Sequence, residues 1–386
     1  MSIYRNKPLR HGQIRTITLH SGTNSDSVNC TLDVVYLKDR TPYKALSYTW
    51  GLPGETKEIT IDGSVVPVRE NLYQALYHLR YPTTTRRLWV DAVCIDQSND
   101  DERNRQVSQM SRIYAAAHEV LIWLGKETMD GFGMPTVKTE FDEAPWWEPV
   151  SPTENWTAFQ EHVKKRMMLY DNEYFTRIWI IQEIIFAARI TVHFGSNLAT
   201  WREFTACFAF GDADNHQVKT AISLVSLKNN QSGNDGVIRH SLATWLENFQ
   251  KSQCQDPRDK VYAFLGLISP ISRLMIKVDY KMSVSDVFWE ARRAEQFAHP
   301  LNPPWNLDHH LSHALQLQYL LRPRLAVALT SKRFNLHYIP VYKRSGLTGQ
   351  EETNTALGFG VDDDLESLFE NDNIRIISYS NRRIRL

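Results

Sequence analysis

The chain has 386 residues, enough for one large domain or two ordinary ones with a sizeable core. Its 44 basic and 44 acidic side chains balance, which excludes a whole-chain field drawing it to nucleic acid or an anionic membrane. Hydrophobic residues make up 42% and aromatics 11%, so a largely disordered chain is excluded as well.

The opening segment, MSIYRNKPLRHGQIRTITL, lacks the apolar core of a signal peptide. No run approaches the roughly 20 apolar residues that span a bilayer, so a cytoplasmic or nuclear location without a membrane span is expected. Residues 13–37 place two β-rich stretches around a Ser/Asn/Gly turn and predict a hairpin. Residues 43–51 (YKALSYTWG) predict a strand ending at Gly51, and residues 57–68 a second hairpin turning at Asp62-Gly63. The spacing of Leu72, Leu76 and Leu79 predicts an amphipathic helix capped by Asn71.

Residues 87–96 (RLWVDAVCID) are apolar apart from Arg87 and two carboxylates and predict a central strand buried on both faces, with Cys94 inside it. A helix with Val107, Met110, Tyr114 and Ala117 on one stripe follows. Residues 118–125 (HEVLIWLG) then predict a second buried strand, a parallel neighbour of the first in one sheet. Residues 126–153, rich in Gly, Pro, acids and Trp, read as a surface insertion. Helices at 155–170 and 175–188 and a strand at 189–195 complete an α/β domain over residues 1–200. Residues 201–300 read as a helical region, with an exposed loop at 228–235, a helix over 256–266 and another over 284–298. Pro300, Pro303 and Pro304 break the pattern, and residues 301–386 form an extension with a β-rich end at 374–386 to which no role is assigned.

Several chemistries lack their motifs. The phosphate-cradling Gly-x-x-x-x-Gly-Lys-Ser/Thr, the dinucleotide Gly-x-Gly-x-x-Gly and the hydrolase Gly-x-Ser-x-Gly do not occur. Cys30, Cys94, Cys207 and Cys254 lie far apart with no Cys-x-x-Cys pair and read as reduced thiols. Asp308, His309, His310 and His313 are metal-capable but lack a completing partner, so no metal site is assigned. Asp91 and Asp96, five apart on the predicted strand, point to opposite faces; Asp96 lies nearer the carboxyl end, where open α/β sheets bind ligands. Asp96 and Gln97 are therefore the ligand candidates, with helix capping or a salt bridge to Arg103 as the structural alternative. Ser47, Trp50 and Gly51 close the first strand, where glycine admits a close approach and Trp50 a stacked ring; strand-end packing is the alternative.

Three blocks, residues 43–51, 88–125 and 174–187 (YFTRIWIIQEIIFA), resemble in order and spacing the fungal heterokaryon incompatibility (HET) domain. Residues 256–267 (DPRDKVYAFLGL) with Asp279-Tyr280 resemble the segment that commonly follows it. The resemblance implies an α/β fold with a TIR-like (flavodoxin-like) parallel sheet flanked by helices and a mostly helical C-terminal region. It also implies an effector of fungal non-self recognition and programmed cell death, with a homo-oligomer and a protein partner in that pathway. HET domains in turn are remotely similar to TIR domains, in which a helix carries a Trp and, four residues later, a Glu that cleaves the nicotinamide glycosidic bond of NAD. Trp179 and Glu183 have that spacing.

By this resemblance Glu183 is the catalytic carboxylate. Ser47, Trp50, Gly51, Asp96, Gln97, Arg103, Arg177 and Trp179 are the substrate-binding set, and NAD is a substrate rather than a cofactor. A carboxylate beside the ribose stabilises an oxocarbenium-like state or orients water, as in glycoside hydrolysis. The chain departs from TIR domains in its 126–153 insertion, its long C-terminal half and the lack of a TIR opening motif. Two alternatives stand beside this function. In one, Trp179 is core, Glu183 pairs with Arg177 or Arg103, and the protein is a non-catalytic interaction module. In the other, the same scaffold serves a small-molecule enzyme of fungal secondary metabolism.

Overall fold

The computed structural model describes residues 2–23, 26–51, 54–126, 172–195, 197–206, 216–231, 240–299 and 306–316. The insertion past Lys126, the 155–170 helix, the proline-marked break and the β-rich end at 374–386 lie outside the described residues.

The strands are β1 (Gln13–Leu19), β2 (Asn29–Tyr36), β3 (Lys44–Tyr48), β4 (Thr56–Ile61), β5 (Ser64–Arg69), β6 (Arg86–Trp89), β7 (Glu119–Trp123), β8 (Ile190–Phe194) and β9 (Asn197–Thr200). They form one nine-stranded sheet in the order β5-β4-β2-β1-β6-β3-β7-β8-β9. Its centre, β6-β3-β7-β8, is parallel. On one side β1 pairs antiparallel with β6 and with β2, and on the other β8 pairs antiparallel with β9. The apolar runs KALSY and EVLIW are buried at every position after the first, as central parallel strands covered on both faces require.

From β3 the chain turns through the β4–β5 hairpin and helix α1 (Glu70–Leu79) into β6 on one side of β3. It then runs through α2 (Asp91–Cys94), α3 (Asp100–Ser108) and α4 (Met110–Ala116), crossing β3 to enter β7 on the other side. The strand order thus reverses at β3. The same register that pairs Ser47 with Ile122 places the carboxyl ends of β3 and β7 side by side.

Several expectations are corrected here. The 87–96 strand ends at Trp89: the Val93 and Cys94 amides bond back to the Val90 carbonyl and start α2, so buried Cys94 lies in a helix. An apolar run this short fits a buried strand or a helical turn equally well, and the Asp91 carboxylate, accepting from the Ala92 amide, favours the turn. Strands β6 and β7 are parallel within one sheet but are not neighbours, because β3 lies between them. Asn71 does not cap α1, which begins at Glu70; its amide donates to the Thr49 carbonyl (2.6 Å) and accepts from the Trp123 indole (2.9 Å). The stripe through Val107 and Tyr114 belongs to two helices meeting at Gln109, and the 175–188 helix is a 3-10 turn (Glu173–Thr176) followed by α5 (Ile180–Ile185). The Leu198-Ala199 segment adds a strand that the sequence did not announce. The expected loop at 228–235 is helical as far as Gln231.

The helical region past residue 200 packs against α4 and α5 at Gly266, where an added Cβ would lie 2.5 Å from the Ser111 Cβ and 2.9 Å from the Gln182 Oε1. No relaxation of a flexible side chain relieves the Ser111 contact. Gly266→Ala is expected to lower stability by about 1–3 kcal/mol, read as a fall in the urea midpoint at unchanged slope; an unchanged midpoint would mean that this close approach carries no constraint.

Candidate functional site

At the carboxyl end of β3, four segments bring polar groups together in an otherwise apolar interior. Ser47, 1% exposed, lies on the face of β3 that receives α5, and its hydroxyl donates to Glu183 Oε2 and lies 2.6 Å from the Tyr174 hydroxyl. Glu183, also 1% exposed, sits in the first turn of α5, where a carboxylate suits the helix dipole. Arg177 closes a fork on it, with Nη2 3.2 Å from Oε1 and Nη1 3.4 Å from Oε2. Asp91, at the start of α2 beyond β6, receives the Trp50 indole N–H (2.8 Å) on Oδ2 and the Ala92 amide (2.7 Å) on Oδ1. Gln97 donates to the Asp91 carbonyl at 3.1 Å.

The Arg177 guanidinium thus pairs with Glu183, and its charge also bears on the buried Asp91 carboxyl. Burial pushes the Glu183 carboxyl up from the usual range, opposed by Arg177 and the Ser47 hydroxyl, with Asp91 pushing further up. Burial likewise raises Asp91, opposed by Arg177, the Trp50 indole, the Ala92 amide and Tyr48. Burial works to lower the Arg177 pKa, but Glu183 and Asp91 outweigh it and keep the guanidinium charged. The arrangement lies where the strand order reverses, outside the carboxyl ends of parallel strands, the usual ligand crevice of open α/β sheets. It offers a carboxylate, a fixed cation and, in half-buried Trp50, a flat ring over which the Arg69 guanidinium sits at 5.3 Å.

The other candidates divide between this cluster and a second one. Gly51, at φ +74, takes the left-handed conformation that only glycine adopts freely, and its carbonyl accepts from Arg69 at 2.9 Å. Asp96 turns away from the cluster to accept from the Ser98 amide (3.1 Å) and hydroxyl (2.6 Å). Arg103 pairs with Asp100 at 2.9 Å and stacks 4.2 Å from the Tyr280 ring centroid. Trp179 precedes α5, and its indole donates to Asp259 Oδ2 at 3.2 Å, so Trp179 and Glu183 bond to different partners. Asp259 also accepts from the Tyr280 hydroxyl at 2.6 Å, and burial raises its carboxyl from the ordinary 3.8 to about 6.

Sequence reasoning passed over Asp91, Tyr174 and Asp259. Asp91 was set aside on strand alternation that the early end of β6 removes, whereas Tyr174 stood two residues after the Asn172 that caps its turn. Asp259 had no local signal, since its partners are 21 and 80 residues away. Among the described residues no group of His, Cys, Asp and Glu is placed to hold a metal, and no helix is long and apolar enough to cross a membrane.

Comparison with known proteins locates this cluster within a recognised domain. A family model described as "Heterokaryon incompatibility protein (HET)" matches residues 43–183, a stretch holding Ser47, Trp50, Asp91, Arg177 and Glu183. The curated "Heterokaryon incompatibility protein 6, OR allele" of Neurospora crassa is 26% identical over 360 residues, covering 76% of this chain and 53% of its own. The chain thus spans about half the length of the relative it matches. No solved structure matches it.

Two outcomes follow from the electrostatics. Arg177→Met strands the buried Glu183 carboxyl without its paired cation and is expected to cost about 3–5 kcal/mol at neutral pH. Burial raises the Glu183 carboxyl and Arg177 opposes it, so removing Arg177 raises it further and the folded variant takes up a proton that the wild type does not. The deficit in urea midpoint should therefore shrink between pH 7 and pH 5, and a deficit independent of pH would contradict the ion-pair account. The raised Asp259 carboxyl likewise gives the folded state protons that the unfolded state has released between about pH 4 and about pH 6. Its contribution to stability is therefore lost as pH rises through that window, and the wild type should lose midpoint there relative to Asp259→Asn.

Proposed function

We propose that the chain, whose residues 43–183 match the heterokaryon incompatibility (HET) family model, acts in fungal non-self recognition, in a response ending in cell death, by cleaving the N-glycosidic bond of NAD with Glu183. The single observation behind the chemistry is that Glu183 meets Arg177 and Ser47 at the carboxyl end of β3, where the strand order reverses. Numbered among themselves, the parallel strands β3, β6, β7 and β8 lie in the order 2-1-3-4, that of flavodoxin-like sheets, and this supports a TIR-like fold.

Nicotinamide leaves NAD as a neutral ring, so the leaving group needs no general acid. What the reaction requires is stabilisation of the positive charge left on the ribose, which a desolvated carboxylate supplies by charge or by orienting water. Trp50, its indole fixed by Asp91, offers a face for the departing ring. The Arg177 fork fixes the orientation of the Glu183 carboxylate. A second function is favoured by one observation: Glu183 is 1% exposed and already paired, as a structural anchor in a non-catalytic interaction module would be.

The two are separated by assaying NAD consumption and nicotinamide release by the purified full chain at low and high protein concentration, beside Glu183→Gln and Glu183→Ala. Turnover that rises with protein concentration and falls at least about 100-fold in both folded variants is the expected result. Absence of turnover by the folded wild type at every concentration would assign the domain to partner binding.

A further inference from the structure

The helix that carries Glu183 is gripped along its length by residues well past the end of the family match. The Gln253 amide donates to the Thr176 carbonyl (2.5 Å) and its carbonyl accepts the Ile178 amide (2.9 Å), a parallel bridge across Arg177 itself. Asp259 takes the Trp179 indole, and the Tyr262 carbonyl accepts the Gln182 amide at 3.4 Å. Gly266 lies against Gln182 and Phe186 with no room for a methyl group. At the far end the Lys228 ammonium donates to the carbonyls of Ile185 (3.0 Å) and Ala187. The matched residues end at Glu183, whereas Gln253, Asp259, Tyr262 and Gly266 all lie beyond it.

Asp259 is the best fixed of these groups. The Tyr280 hydroxyl holds its second oxygen. Tyr280 is held in turn by its amide on the Asn104 side chain at 3.0 Å, with the Arg103 and Arg258 guanidiniums 4.2 and 5.5 Å from its ring centroid. A carboxylate accepting two side-chain donors in a buried setting is stiff, and its hold on Trp179 sets the residue from which α5 departs. A shift of about 1 Å in that departure would misplace Glu183 against the ribose, an error that costs catalysis heavily.

We propose that Asp259 is a positioning residue for Glu183, and that the 253–280 segment is a strap that makes the helical region part of the same functional unit as the sheet. The proposal rests on Glu183 carrying the chemistry, and its test separates the two. Hydrogen exchange and NAD turnover are measured on the full chain for Asp259→Ala, Asp259→Glu and Trp179→Phe, the last removing the same hydrogen bond from the other side while keeping a ring. Loss of a hydrogen bond to a charged group predicts about tenfold or faster exchange across residues 177–185 in Asp259→Ala and Trp179→Phe, with β3 and β7 unchanged. It also predicts a fall in kcat with KM little altered, largely restored in Asp259→Glu. Should Asp259→Ala fail to fold, Trp179→Phe decides. Exchange over 177–185 equal to wild type, or raised equally throughout the molecule, overturns the strap. Local loosening in a protein whose wild type cleaves no NAD upholds the strap while removing the glycohydrolase function.

Discussion

The interior of this fold turns on one guanidinium. Arg177 pairs directly with Glu183, on the helix before β8, and its charge also reaches the buried Asp91 carboxyl on the turn after β6. Burying two carboxyl groups is tolerable only if a cation and hydrogen-bond donors meet them, and here Ser47, Trp50 and the Ala92 amide complete the set. The alternative, a purely apolar seam, would be easier to fold.

The sheet makes that place. A parallel centre built from β6-β3-β7-β8 puts the carboxyl ends of β3, β6 and β7 together, and the strand order reverses at β3, the position where open α/β sheets commonly bind ligands. Asn71, bridging Thr49 and the Trp123 indole, ties the loop after β3 to the end of β7. On the other side Trp50 ties the same loop to Asp91. The loop that would meet a ligand is thus fastened on both flanks, and the helical region fastens the helix bearing Glu183.

Much of the sheet was legible in the sequence. Continuous apolar runs at 44–48, 119–123 and 190–194 announced buried strands, and Asp62-Gly63 announced its hairpin, because burial and turn geometry are written locally. Boundaries failed where a polar side chain competed with the backbone pattern. Asp91 bonds to the Ala92 amide and ends β6 early, which sets Asp91 beside the Trp50 indole and leaves Asp96 bonded to Ser98. Asn71 sat where a cap is expected but spends its amide on two distant partners. The Asp259–Trp179 and Arg177–Gln253 contacts join residues 80 and 76 positions apart, and no spacing rule within one element reaches that far. Ser47 and Glu183, 136 positions apart, were each singled out on grounds other than their contact.

The proposed function has a nicotinamide dinucleotide bound and cut beside the cluster of Ser47, Asp91, Arg177 and Glu183. Photoaffinity labelling of the full chain with a non-cleavable NAD analogue bearing a reactive nicotinamide ring, followed by peptide mapping, tests it most directly. The account predicts label on the peptides carrying residues 47–51, 91–97 or 177–183, competed by NAD and diminished by Trp50→Ala. Label confined to other peptides, or label unaffected by NAD, would contradict it.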